Sequence, residues 1–242
     1  LDVSSWSRPP KFQIELDGSR LSAVSRPGDS RLWLEHRGDT WHLASAPDPQ
    51  HKGPHRFGSF KDALRNRVLL VYGTPGTTEE NTGALHKARF DAETFWYRGN
   101  GTLEVIPDTA FDPVATKDRN VILYGRAEMN LAWQTVLASC PIHVRRGKVQ
   151  VGAREWTGDD LGCLWFYPRR GSDLASVGVV AGTGLSGQRG TERLPYFVSG
   201  VGYPDYWVLG ADAWSRGLAG IRAAGYFGQD WKLEPNDADF RP

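Results

Sequence analysis

Hydroxyls, imidazoles and carboxylates are plentiful in this sequence, but their spacing builds no nucleophile. An α/β-type serine hydrolase needs G-x-S-x-G, the strained strand-to-helix turn that lifts a hydroxyl toward its histidine and its oxyanion donors. No serine of the chain sits in that frame. Ser186 comes closest, in Gly184-Leu185-Ser186-Gly187-Gln188, with the second glycine one residue early, whereas Ser199 has Phe197 and Val201 where the glycines belong. His51 and His55 stand four apart, but in a Pro/Gly-rich stretch with no third ligand of suitable spacing, so no shared metal is expected. His36, His42, His86 and His143 are scattered, and Asp159-Asp160 reads as a solvated turn rather than a glycosidase dyad. No catalytic residue, metal or cofactor is assigned.

The spacing does supply loops that can hold a ligand. Tyr72-Gly73-Thr74, Tyr124-Gly125 and Gly182-Thr183-Gly184 each close an apolar run. In an open α/β sheet the ligand crevice lies beyond the carboxyl ends of the strands, where loops and helix N-termini offer free N–H groups. Together with Asp108, Ser186 and Arg193, these residues form the candidate cleft. The competing reading is that glycine there permits tight turns and close packing. Gly182-Thr183-Gly184-Leu185-Ser186-Gly187 also satisfies G-x-G-x-x-G directly after a strand, the dinucleotide pattern. Against it, the motif comes late in the chain, Pro195 interrupts the helix that should follow, and neither Asp205 nor Asp212 sits clearly at a second strand end. No P-loop sequence supports nucleotide binding.

The elements that would position these residues follow from periodicity. Lys11 to Leu16, Arg31 to His36 and Thr40 to Ala44 alternate apolar and polar residues, with turn chemistry at Asp17-Gly18, Pro27-Gly28 and Gly38-Asp39. Residues 1–50 therefore read as a small antiparallel β module and 51–66 as a linker or ordered arm. From residue 67 to 242 strand and helix alternate. Val68 to Tyr72 is a buried strand, and Thr77-x-x-Glu80 opens a helix with Leu85, Ala88, Ala92, Phe95 and Trp96 on its core face and Gly99 at its end. Leu103 to Ile106 and Asn120 to Tyr124 follow as strands, then Glu128 to Cys140 as a helix, and a hairpin from Ile142 to Val151. Leu161 to Tyr167, Ser176 to Ala181, Tyr206 to Leu209 and Ile221 to Phe227 are further strands. The expected class is α/β: a mostly parallel Rossmann/flavodoxin-like sheet with helices on both faces and antiparallel additions. Arg145-Arg146 and Arg169-Arg170 are read as charged caps on strand edges.

Composition narrows the partners. Lys plus Arg (29) nearly balances Asp plus Glu (28), so no strong field points to nucleic acid or to an anionic membrane. No apolar run approaches the roughly 20 residues a membrane span needs, and Leu1 to Pro10 lacks the order of a signal peptide. Cys140 and Cys163 follow or lie in apolar runs and read as buried, unreactive thiols, although two cysteines alone do not distinguish a thiol pair from one disulfide. The 10 tryptophans serve the core for the most part; an exposed coplanar pair such as Trp33 and Trp41 would instead make a carbohydrate platform.

Several longer segments carry a resemblance. His51-Lys52-Gly53-Pro54, Phe60-Lys61-Asp62-Ala63, Val71-Tyr72-Gly73-Thr74, the run from Lys87 to Gly101, Arg119 to Gly125, Val179 to Gly184 and Pro195 to Gly200 are similar to the region after the catalytic domain in large bacterial serine hydrolases of the prolyl-oligopeptidase family. The likeness extends over nearly the whole chain. In those proteins the elbow serine and its partners lie upstream, so no catalytic residue carries over to any position here. The resemblance implies a β-sandwich-like piece followed by an α/β domain, a secreted or periplasmic location, and a catalytic α/β-hydrolase domain as partner. The favoured function is a non-catalytic accessory region that shapes or stabilises an esterase- or peptidase-like cleft. The alternatives are a stand-alone hydrolase acting on an ester through the glycine-lined cleft, and a carbohydrate-binding module.

Overall fold

The computed structural model describes residues 1–5, 11–24 and 30–241, which divide into two compact units, Leu1–Asp48 and Pro49–Pro242. The Pro27-Gly28 turn lies outside the described residues. In the first unit, β1 (Lys11–Leu16) pairs antiparallel with β2 (Ser19–Val24), and β3 (Trp33–Arg37) with β4 (Thr40–Ala44). Asp17 (φ 47°) and Gly18 (φ 77°) are both left-handed, the two-residue turn whose twist matches a hairpin. The indole N–H of Trp41 donates to Asp17 at 2.9 Å and ties one hairpin to the turn of the other. Phe12, Ile14 and Leu16 alternate as expected, yet they are only half-buried; Val3 and Ala23 are the buried apolar residues of this unit among those described.

The second unit begins with a 3-10 turn at Phe60–Leu64, then β5 (Leu69–Tyr72), α1 (Thr78–Gly99), β6 (Glu104–Pro107), β7 (Val121–Tyr124) and α2 (Trp133–Leu137). A three-stranded meander follows: β8 (Ile142–Arg145), β9 (Lys148–Val151) and β10 (Arg154–Thr157). The chain continues through β11 (Gly162–Pro168), β12 (Ser176–Gly182), α3 (Leu185–Gly190), β13 (Tyr206–Leu209), α4 (Ala213–Arg216), β14 (Ile221–Phe227) and β15 (Leu233–Phe240). The main sheet has eight strands in the order β15-β14-β13-β11-β12-β7-β5-β6.

This is not the mostly parallel, helix-covered Rossmann/flavodoxin-like sheet that the sequence suggests. Parallel pairing is confined to β6-β5-β7-β12; from β12 through β11, β13, β14 and β15 every pairing is antiparallel. Arg169–Ala175 between β11 and β12 is too short for a crossover, which takes about a dozen residues or more. A strand buried on both faces reads as a continuous apolar run whichever way it points, so Gly162–Pro168 and Ser176–Gly182 carry no directional signal. Among the described residues α1 is also the only long helix. Glu128 to Cys140, expected as a helix, gives only α2, because Asn130 turns its side chain back onto the strand ends before the helix starts.

α1 begins and ends where its signals lie. Glu80 N donates to Thr77 Oγ1 and Thr77 N to Glu80 Oε2, a complete capping box, while left-handed Asn100 (φ 50°) closes the other end. Of the expected core face, Ala88 is buried and Leu85, Ala92 and Phe95 are half-buried, while Trp96 is exposed. Glu80, Ala84, Lys87, Ala88 and Asp91 point inward, whereas Phe90, Trp96 and Tyr97 are 52%, 61% and 82% exposed. Two alanines let the helix approach the sheet, and the inward polar residues meet partners there. The core itself is built from Val68–Val71, Val121–Tyr124, Cys163–Phe166 and Val177–Ala181, with Trp133 of α2 edge-on to Trp165 at 5.5 Å.

Candidate functional site

The order β6-β5-β7 places a switch point between β5 and β7, where an open sheet parts its loops to admit a ligand. Here the gap is filled by the chain itself. A Cβ on Gly73 would lie 1.9 Å from the Met129 carbonyl oxygen, so glycine is what lets the Met129-Asn130 segment seat itself there. The Asn130 amide donates to Val71 O at 3.0 Å and to Tyr124 O at 3.3 Å, joining the ends of both strands. Asp108 is brought to Thr74 as expected, but its carboxylate accepts from Thr74 N, Thr74 Oγ1 and Leu131 N and is buried, so it holds loops rather than a ligand. Tyr72 is half-buried beside it.

The Gly182-Thr183-Gly184 signature also serves packing. Added Cβ atoms on Gly182 and Gly187 would meet Gln188 N and Leu161 O, each at 2.1 Å, and one on Gly184 would meet Asp159 O at 2.6 Å. All three glycines of the motif are thus needed for close backbone packing. Thr183, wholly buried, accepts from Leu161 N through its hydroxyl. Ser186 is exposed on α3, and Arg193 is exposed at the end of the 3-10 turn Thr191–Arg193; neither hydrogen-bonds to Thr74 or Asp108. Among the described residues no serine hydroxyl bonds an imidazole: His42 meets Thr40 Oγ1 and His55 meets Pro49 O. No group of His, Cys, Asp and Glu among them is arranged to hold a metal ion.

What remains at this edge is a depression of about 350 Å³ bordered by Gly76, Thr77, Arg126, Glu128 and Arg146. Its charges are engaged. Buried Glu80 accepts from Arg126 at 2.8 Å and from Arg146 at 2.9 Å, as well as from Thr77 N. Burial pushes the Glu80 carboxyl up, but that hydrogen bond and the two guanidiniums outweigh it and hold the group below its usual range. Arg146 therefore pairs with a buried acid rather than guarding an edge. Arg169 is likewise buried and donates to the carbonyls of Pro113, Thr116 and Arg119. Arg126 directly follows the Tyr124-Gly125 signature, which is the one sequence cue that it would stand at a strand end.

A second polar cluster escapes sequence reading altogether. Lys87 Nζ lies 2.6 Å from Asp91 Oδ1 and 2.5 Å from the Tyr196 hydroxyl, and Tyr124 and Tyr196 both donate to Asp91 Oδ2. All four side chains are buried. Burial first, and then the Asp91 charge, raise both phenols well above their ordinary value, so neither works as a base. Tyr124, expected at a ligand cleft, instead fastens β7 to α1. Asp205 is a comparable anchor, accepting from Ser59 N, Phe227 N and Lys52 Nζ. In the first unit, the register Trp33↔Ala44 and His36↔Trp41 sends Trp33 and Trp41 to opposite faces of their hairpin, so they form no coplanar platform. Among the described residues no helix is long and apolar enough to cross a membrane. Comparison with known protein families gives no match, and neither does comparison with curated proteins.

Proposed function

We propose that this chain is a non-catalytic accessory region of a secreted or periplasmic serine hydrolase of the esterase or peptidase kind. It packs on a catalytic α/β-hydrolase domain and shapes or steadies that domain's substrate cleft. The observation that carries this reading is that α1, while burying Ala84 and Ala88 together with Lys87 and Asp91, leaves Phe90, Trp96 and Tyr97 exposed. Phe90 and Tyr97, seven residues apart, share one exposed side of the helix, the kind of apolar surface that marks a contact site. The half-buried stripe of Phe12, Ile14 and Leu16 in the first unit points the same way. The polar groups at the carboxyl edge are committed to internal bonds, which argues against the stand-alone hydrolase.

The test is a binding titration between the purified chain and an α/β-hydrolase catalytic domain of the prolyl-oligopeptidase family from the same genome. Phe90→Asp together with Tyr97→Asp should leave the far-UV circular dichroism unchanged and weaken association at least about a hundredfold, since buried aromatics dominate such interfaces. Turnover of a p-nitrophenyl acetate series by the chain alone, abolished by Ser186→Ala, would overturn the proposal. So would an undiminished affinity in the double variant.

A further inference from the structure

A pocket of about 340 Å³ opens beside β13 and α4, far from neutral in its preferences. Its walls include Leu194, Tyr203, Trp207, Trp214, Leu218 and Ile221, so any occupant must bring an apolar body. Two polar atoms in those walls find no partner among the described residues: the Tyr203 hydroxyl and the Trp207 indole nitrogen. Tyr203 is buried and stands edge-on to Trp207 at 5.4 Å. An indole N–H only donates, and a phenol donates readily, so what both atoms lack is an acceptor. Each is closed to water, and the pocket is the open space that both residues border. Leaving buried donors unpaired is costly, and native chains usually have a reason for it.

Next to the lining residue Leu194 stands a cation without an ion-pair partner among the described residues. This is Arg193, whose guanidinium lies 5.7 Å from the centroid of Trp214. Asp212, immediately before α4, is already held by Arg216 and Arg222. A sugar would bring many donors to walls that offer almost no acceptors, and an alcohol would leave Arg193 unused. We propose that this pocket binds an apolar carboxylate, an aliphatic or aryl acid whose hydrocarbon lies between the Trp207 and Trp214 indoles and whose oxygens meet Arg193 and the unpaired donors. This inference does not depend on the accessory role.

The probe is octanoate, titrated into the full chain while tryptophan fluorescence and Tm are read, with methyl octanoate and octan-1-ol as uncharged comparators. Octanoate should quench saturably and raise Tm. Both comparators, and octanoate with Arg193→Ala, should bind at least about tenfold more weakly, as expected for loss of a charge-assisted hydrogen bond. Trp207→Phe, which keeps a ring but removes the N–H, should weaken octanoate severalfold. Leu218→Asp, at a 70% exposed position on the pocket lip, should weaken octanoate more than octan-1-ol and serves if Trp207→Phe misfolds. No saturable binding, equal affinity for octan-1-ol, or unchanged affinity in Arg193→Ala would overturn the proposal.

Discussion

Asp91 takes a heavy buried polar load on α1, since a lysine and two phenols converge on its two oxygens. Asp91→Ala leaves Lys87 charged and unpaired in the interior, and chemical denaturation should show a loss of about 3–5 kcal/mol. Thr183→Val strands the Leu161 N–H and should cost about 1–3 kcal/mol by the same measurement. Cys140 and Cys163 are free and buried, and burial pushes the Cys140 thiol up to about 12 and the Cys163 thiol higher still. The folded chain should resist iodoacetamide at pH 8 and take up two labels once unfolded. Burial also raises the Tyr167 and Tyr206 phenols to about 12. For these acids the folded state prefers the proton. Their contribution is complete below the unfolded values of about 8.5 for Cys and about 10 for Tyr, and drains away as pH rises through the folded ones. The urea midpoint should hold to pH 8 and fall steadily from about pH 9 toward pH 12. Buried thiols were legible from their apolar neighbours. The Lys87–Asp91 pair was not, because an i,i+4 charge pair on a helix reads as a solvated face.

At the scale of elements, strands were easier to locate than to orient. Val68–Tyr72, Ser176–Ala181, Tyr206–Leu209 and Ile221–Phe227 lie within a residue of the observed strands, as does the hairpin turned at Arg146-Gly147. Direction depends on connection length and on partners far along the chain, neither of which an apolar run encodes, so the antiparallel half of the sheet was hidden. β10 and β15 were missed as well, their polar residues giving no clean alternation. The glycine signatures were visible, and at Gly73, Gly182, Gly184 and Gly187 a Cβ would collide with backbone, which gives these glycines a packing role. Gly182→Ala and Gly187→Ala each drive a methyl into backbone between β11, β12 and α3, and should destabilise by about 3 kcal/mol, the upper end for overpacking. An alanine at Gly171, which has open space but φ 80°, should cost closer to 1 kcal/mol. Thermal melts of the three variants would separate the two effects.

For the molecule as a whole, the division at Asp48/Pro49 predicts two very different fates on cutting. Pro49–Pro242 contains the eight-stranded sheet and nearly all the buried apolar residues, and should unfold cooperatively when expressed alone. Leu1–Asp48 has two hairpins and two buried apolar residues among those described, and should show no cooperative transition by itself. Differential scanning calorimetry of the two fragments checks both. In the sequence, hairpin punctuation gives way to strand-helix alternation near residue 50, and the two compact units part at Asp48/Pro49. The function classes were less legible, since a cleft is recognised by where polar groups point after packing.

The place of β7 in the sheet matters for how this polypeptide is made. Val121–Tyr124 is flanked by Leu69–Tyr72 on one side and by Val177–Val180 on the other, so one neighbour is synthesised well before it and the other well after. Until residue 180 has left the ribosome, a nascent chain carries an oily strand with one side unclaimed, open to capture by a chaperone or by another unfinished copy.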